Sequence, residues 1–185
     1  MATDPFKTKI TADEFLAMDF GDKKVELIDG VIRAMTGGKR AHFRVQRNLV
    51  RFLGQELRGS GCGVYSEFGL KLADDTIRYP DVAVECGGPD RRENDEDMLL
   101  KSPVILFEVL SPSTRNHDES VKLRLYSELE SVDTIVFVDP DAETVRVVQR
   151  LGSTSWRNEL YPQAADVVLP AIGVTIPKDE IFARD

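Results

Sequence analysis

Two apolar runs flanking one helical stretch constrain this chain more than any other feature. Val104 to Leu110 is nearly all apolar and β-branched or aromatic, and Asp133 to Val138 is a second such run, closed by Asp139-Pro140-Asp141. Both read as central strands buried on two sides. Between them Ser111 to Thr114 turns the chain, and Asn116 to Leu129 is predicted to be a helix with Val121, Leu125 and Leu129 on one face. A strand–helix–strand crossover of this length favours a parallel, right-handed pair. The fold class is therefore α/β or α+β around a central mixed β-sheet flanked by helices.

The flanking segments add to that core. Thr11 with Glu14 is a capping-box pattern before a short helix over Ile10 to Met18. Val25 to Met35 reads as an added N-terminal hairpin about Asp29-Gly30. Ala41 to Leu57 is predicted to be the first long helix, with Val45, Leu49, Phe52 and Leu53 on one face. Val64 to Leu72 and Ile77 to Glu85 are strand candidates, the second carrying Pro80 and hence placed at an edge or bulge. Cys86 to Pro103 is a polar loop, with a helical turn near Asp95 to Leu100. A β-rich C-terminal tail follows at Thr144 to Arg150, Trp156 to Tyr161 and Val167 to Leu169, with a last helical turn at Pro177 to Phe182. At 185 residues the chain is expected to form a single domain, 1–185, without repeats.

No segment approaches the roughly 18 consecutive apolar residues of a membrane span, and residues 1–9 carry no apolar run of a signal peptide. Cys62 and Cys86 form no CxxC and have no nearby histidine, so they read as reduced thiols of a cytoplasmic protein with no membrane partner. The net charge of −8 argues against a tight non-specific nucleic-acid binder. A local stripe runs the other way. On the first long helix Arg40, Arg44, Arg47, Arg51 and Arg58 project within about ±40° of one line. Such a stripe could track a phosphate backbone, or be a solvated face, or meet an acidic surface of a second copy in a homodimer.

Two carboxylates carry the chemical argument. Alternation puts Val104, Leu106, Glu108 and Leu110 on one face of their strand, so Glu108 stands in a run that looks buried on both sides. An unpaired buried carboxylate costs several kcal/mol. Glu108 therefore reaches water at the strand's end, forms a salt bridge, or serves a metal or catalytic role. Asp81 shares its face with the small Ala83, which leaves room beside it. Two carboxylates on adjacent strands can jointly hold one Mg²⁺ or Mn²⁺, with water completing the coordination.

Pro80-Asp81, then Glu108-Val109-Leu110, then Lys122 resembles the core of the PD-(D/E)XK nucleases, with one departure. In that superfamily the lysine stands two residues after the glutamate, where this chain has Leu110, so Lys122 would have to supply the amine from the helix. The displaced arrangement resembles the Uma-two family of restriction-endonuclease-like proteins. Its pattern is met by Val25-Glu26-Leu27-Ile28-Asp29-Gly30, His42, Arg78-Tyr79-Pro80-Asp81-Val82-Ala83-Val84, Glu108-Val109-Leu110-Ser111-Pro112-Ser113-Thr114-Arg115, Asp118 with Lys122 and Tyr126, and Val138-Asp139-Pro140. The resemblance covers residues from about 11 to 182. It implies a restriction-endonuclease-like fold, with Asp81, Glu108 and the Val109 carbonyl holding Mg²⁺ or Mn²⁺, Lys122 assisting the attacking water and Glu26 completing an acidic cluster.

Each of these residues also has a plainer reading. Lys122 could pair with Asp118 on a solvated helix. Glu26 falls opposite Arg33 if Asp29-Gly30 is the hairpin turn, an ordinary cross-strand ion pair. His42 could be a satisfied, partly buried histidine instead of a hydrogen bonder lining the site, and His117 a surface residue. The expectation is a Mg²⁺-dependent endonuclease, a hydrolase acting on DNA. The alternative is a catalytically degenerate nucleic-acid-binding or regulatory homo-oligomer on the same fold.

Overall fold

The computed structural model describes residues 9–35, 37–111, 115–162 and 165–184, and for 115–118 the backbone alone. The turn expected at Ser111 to Thr114 lies largely outside the described residues, as do the side chains of His117 and Asp118. The elements are α1 (Ala12–Leu16), β1 (Val25–Ile28), β2 (Val31–Ala34), α2 (Arg40–Glu56), β3 (Cys62–Ser66), β4 (Leu70–Ala73), β5 (Thr76–Arg78), β6 (Val82–Cys86), β7 (Pro103–Val109), α3 (Arg115–Ser127), β8 (Thr134–Asp139), β9 (Thr144–Arg150), β10 (Trp156–Tyr161), β11 (Val167–Leu169), β12 (Val174–Ile176) and α4 (Lys178–Phe182). One 3₁₀ turn, Arg92–Asn94, stands in the polar loop, slightly earlier than expected; a second is Pro170–Ile172.

The centre is a six-stranded mixed sheet in the order β10-β9-β8-β7-β6-β3. β7 and β8 are parallel, as their helical crossover requires, and every other pair is antiparallel. Alternation divides the core in two. Val82, Val84, Ile105, Phe107, Val136 and Val138 face α2 and its Val45, Leu49 and Leu53. Ala83, Leu106, Ile135 and Phe137 face the other way, against Tyr126 of α3. Covering on both faces explains why β7 and β8 read as unbroken apolar runs.

A second, four-stranded antiparallel sheet, β2-β1-β5-β4, packs its Leu27 and Ile77 against Ala12 and Phe15 of α1. The capping box at Thr11 and Glu14 is formed. Asp29 and Gly30 both take positive φ, 49° and 77°, the twist that a two-residue hairpin turn needs.

Three sequence expectations change here. The run 77–85 is two strands in two different sheets, broken at Pro80-Asp81, where proline's missing N–H ends the ladder. The run 64–72 likewise divides into β3 and β4. Cys62 and Cys86 are joined in a disulfide because the β3–β6 register sets them directly opposite one another. The reading as reduced thiols is thereby corrected: cross-strand register brings them together, and their spacing in sequence could not show it.

The inward stripe of α3 is also rotated from the expected one. Tyr126 is fully buried, and Leu123 and Leu129, partly buried, pack against the same cluster, whereas Val121 and Leu125 are partly buried outside it. Among the described residues no helix is long and apolar enough to cross a membrane.

Candidate active site

The site grows from the break at Pro80. The β6–β7 register pairs Val82 with Phe107 and Ala83 with Leu106. Continued by one residue, it sets Asp81 opposite Glu108, on the face that carries Ala83 and Leu106. The chain between β5 and β6 is pinned where it changes sheets, since Gln46 Nε2 donates to the Asp81 carbonyl at 2.9 Å. With the ladder ended, the Val109 N–H turns to the Asp81 side chain and donates to Oδ2 at 2.6 Å. His42 Nε2, from the first turn of α2, lies 3.0 Å from Asp81 Oδ1. So each oxygen of Asp81 is fixed by a different element.

Glu108 is only 4% exposed, which excludes the reading that it reaches water at the strand's end. Lys122 Nζ stands 2.7 Å from Oε2, and the Tyr126 hydroxyl donates to Oε1 at 2.6 Å. Both come from α3, one turn apart on its inward stripe. Burial is the first cause that pushes the Glu108 carboxyl up, to about 7, and the Asp81 charge adds to it; the Lys122 ammonium and the two hydrogen bonds act against that rise. The same hydrogen-bonded neighbour, Asp81, raises His42 above the usual histidine value, with the Val109 backbone contributing. Burial, then Glu108, pushes Tyr126 well above the ordinary phenol range, so it serves as a neutral donor.

Glu26 points to a different partner than the hairpin suggested. The β1–β2 register does place it opposite Arg33, yet its carboxylate meets the buried Arg78, Nη1 to Oε1 2.7 Å. Arg78 in turn acts on the Tyr126 hydroxyl electrostatically. Glu26, His42, Asp81, Glu108, Val109 and Lys122 all line one cleft of about 570 Å³, together with Glu119. The structure thus gathers the expected acidic, histidine and lysine positions into one place. Glu119 was not singled out from sequence, and Tyr126 and Arg78, quoted in the family pattern without a role, hold Glu108 and Glu26 from outside the lining. For Tyr126 a signal existed, since it stands four residues after Lys122 and must share that lysine's face.

The arginines of α2 stand apart from this cleft's lining. Arg40, Arg47 and Arg51 are exposed and Arg44 half-buried. Arg51 reaches Glu180 of α4 at 2.6 Å, and the neighbouring Asn48 donates to the Ile181 and Ala183 carbonyls. Part of the stripe therefore holds the C-terminal helix.

The donor chemistry fits a hard divalent cation. Among the described residues each of the two carboxylates uses two contacts of the roughly four its lone pairs allow. No group of three or more His, Cys, Asp or Glu side chains is placed to hold a metal among the described residues. An ion bound here would keep most of its coordination sphere for water and substrate, the habit of Mg²⁺ and not of structural zinc.

The chain is similar to several known proteins. Two uncharacterized proteins of Synechocystis sp., slr1290 and sll1609, are 27% and 29% identical to this chain over 178 and 165 residues. Those alignments cover 94% and 86% of this chain and 92% and 93% of the relatives. The crystal structure of a "putative nuclease belonging to DUF820" from Anabaena variabilis superposes with a TM-score of 0.76 at 20% identity, over 94% of this chain and 98% of that one, and shows the same fold. The family model of Uma2, described as "Putative restriction endonuclease", matches residues 12–177, and the chain belongs to that family.

Proposed function

We propose that this protein is a metal-dependent nuclease that hydrolyses phosphodiester bonds in DNA, with Mg²⁺ or Mn²⁺ as its cofactor. The observation that carries the reading is the meeting of Asp81, Glu108 and Lys122 in one cleft, from the break before β6, from β7 and from α3. Asp81, Glu108 and the Val109 carbonyl are the residues that would hold the ion. Bound there, it would polarise the phosphate and make a water more acidic.

The protein's own groups do the rest. The Val109 N–H and His42 fix the direction of the Asp81 carboxylate, which keeps its second lone pairs for the cleft. Tyr126 and Lys122 fix Glu108 in the same way and offset its burial. Lys122 is then placed to orient an attacking water and to stabilise charge that develops on the phosphate. Glu26 enlarges the acidic wall, restrained by Arg78. Lys39 lines the cleft, and Arg40, Arg44, Arg47 and Arg51 follow on the same helix, a path for phosphates beyond the scissile one.

A degenerate, binding-only protein was suggested by Leu110 in the usual lysine position. Lys122 Nζ at 2.7 Å from Glu108 supports the active reading, because the amine reaches the carboxylate from α3 instead. A homodimer accompanies the proposal, supported by β2, an edge strand with Val31 and Ile32 exposed; sedimentation tests it. A cytoplasmic location also accompanies it, and the Cys62–Cys86 disulfide is the observation against it, since cytosolic thiols are kept reduced. The deciding experiment is a cleavage assay on DNA and RNA with Mg²⁺ or Mn²⁺, with Asp81→Asn as control. Metal-dependent DNA cleavage lost in that variant supports the proposal, and no cleavage under any metal overturns it.

A further inference from the structure

Beside the active-site cleft lies a second recess of about 280 Å³, and its character is different. Phe15, Phe20 and Tyr79 line it, with Met18 and Met98 also on its wall. Phe15 is buried and packs against Phe20, ring centroids 5.0 Å apart and planes tilted by 37°, so this side of the recess is fixed. Met18 and Met98 are 42% and 59% exposed, apolar side chains left in water with nothing over them among the described residues. The recess and the cleft share Lys24, Met35, Glu67 and Tyr79 as a common wall. Tyr79 belongs to both chemistries: its ring borders the recess, while the Glu26 carboxylate of the cleft acts on its hydroxyl. Lys23 and Lys24 are exposed on the same border, Lys24 in an ion pair with Glu67 of the common wall.

From this continuity we infer that the recess takes one unstacked nucleobase of the strand whose phosphate lies in the cleft. The inference rests on the nuclease reading and extends it to the substrate class, single-stranded DNA or a single-stranded segment. A strand threaded past Asp81 and Glu108 carries its bases to one side of the phosphates. An aromatic, methionine-rimmed hollow next to a phosphate site, with lysines on its lip, offers a base the stacking and apolar contact that it loses on leaving a helix. A base inside a duplex must first be unpaired and unstacked, which costs about a few kcal/mol, so the single strand is favoured.

Fluorescence anisotropy with a labelled oligonucleotide, single-stranded and as a duplex of the same sequence, tests this in Ca²⁺, with Mg²⁺-dependent cleavage of both forms measured in parallel. The variants are Phe20→Ala, which removes a stacking face, and Met98→Ala, whose exposed position makes misfolding no explanation of a loss. The wild type is expected to prefer the single strand by about tenfold, within the roughly 5- to 150-fold range of one base–aromatic stack. Both variants should lose most of that preference and leave duplex affinity unchanged. Binding or cleavage of both forms without preference, or a preference that survives both substitutions, overturns the recess and leaves the nuclease reading standing. Failure of the wild type to bind or cleave either form overturns both.

Discussion

The two ends of α2 make unlike use of charge. Near its start His42 and Gln46 turn toward Asp81, where charged groups are few, enclosed and held to within hydrogen-bonding distance. Further along, Arg47 and Arg51 stand in water, and Arg51 and Asn48 secure α4. By count of charges the arginine face is the more conspicuous. By physics the cleft is: enclosure lowers the local dielectric, so each misplaced charge costs more and each paired one is more firmly oriented. Charge density in a sequence marks surfaces, whereas a lone carboxylate within an apolar run marks a place where the fold has had to provide partners.

The largest effect expected from this contrast is on cleavage. Asp81→Asn keeps an acceptor for the Val109 N–H but removes the charge a cation needs. Metal-dependent cleavage should fall by roughly three orders of magnitude, the several kcal/mol a metal contributes, while the melting temperature changes little. Replacing Arg47 and Arg51 together should lower cleavage by less than about tenfold. A double arginine variant as inactive as Asp81→Asn would reverse the comparison.

A second effect is on stability against pH. The Glu108 carboxyl has a folded value of about 7 against an ordinary 4.5. Because the folded value is the higher one, the folded protein retains the proton in between. The contribution of this group to stability is therefore full below about pH 4.5 and is lost as pH rises through 7. Glu108→Gln should flatten that fall, so the difference between variant and wild type shifts by on the order of 2–3 kcal/mol between pH 4.5 and 8, read from urea denaturation without metal. The cost of leaving Lys122 without its carboxylate is a pH-independent offset over this range. Millimolar Mg²⁺ should reduce the wild-type fall, since a cation beside Glu108 favours its charged form. Equal pH profiles for the two proteins would show that burial does not govern this group.

The third effect concerns the tail. Asn48 is 2% exposed, and its amide serves the Ile181 and Ala183 carbonyls at 3.1 and 3.0 Å. Asn48→Ala should cost about 1–3 kcal/mol by leaving two carbonyls at the end of α4 without their donor. Cleavage at temperatures well below melting should be unaffected, because Asn48 does not touch the cleft. Loss of activity in a folded Asn48→Ala protein would join the two ends of α2 that are here held distinct.

How far the sequence announces these regions differs between them. β7, α3 and β8 are legible because apolar β-branched runs and a helical period leave little choice. Alternation gives Asp81 the face of Ala83 and Glu108 the face of Leu106, and the β6–β7 register, continued by one residue, makes these the same face. The change of sheet at Pro80 is not legible, since a proline fits an edge, a bulge or a break equally well. Only the existence of the four-stranded sheet selects the break. The Glu26–Arg78 pair and the Cys62–Cys86 disulfide belong to the same class: they depend on which strands become neighbours, and no local spacing encodes that. Lys122 at Glu108, by contrast, could be tested by helix geometry in advance, and Tyr126 follows from it.

The smallest effect is the one the arginine stripe invites most. The Arg51–Glu180 pair is half in water on both sides, with side chains 55% and 38% exposed. Solvent screening and the entropy of two long side chains leave such a pair worth about 0–1 kcal/mol. Arg51→Ala alone should hence move the melting temperature by no more than about 2–4 °C, and raised salt should erase even that. Its effect on nucleic-acid affinity is a separate quantity. If Arg47 and Arg51 meet phosphates, removing both should weaken binding equally across sequences and lower the slope of log affinity against log salt by nearly two, one for each lost contact. The pair with Glu180 biases this measurement in a known direction: an arginine already held by a carboxylate must exchange that partner for a phosphate, so Arg51 should contribute less than a full contact to the slope. A slope unchanged in the double variant, with DNA cleavage intact, would assign the stripe wholly to holding α4 and leave the cleft as the place where nucleic acid is gripped.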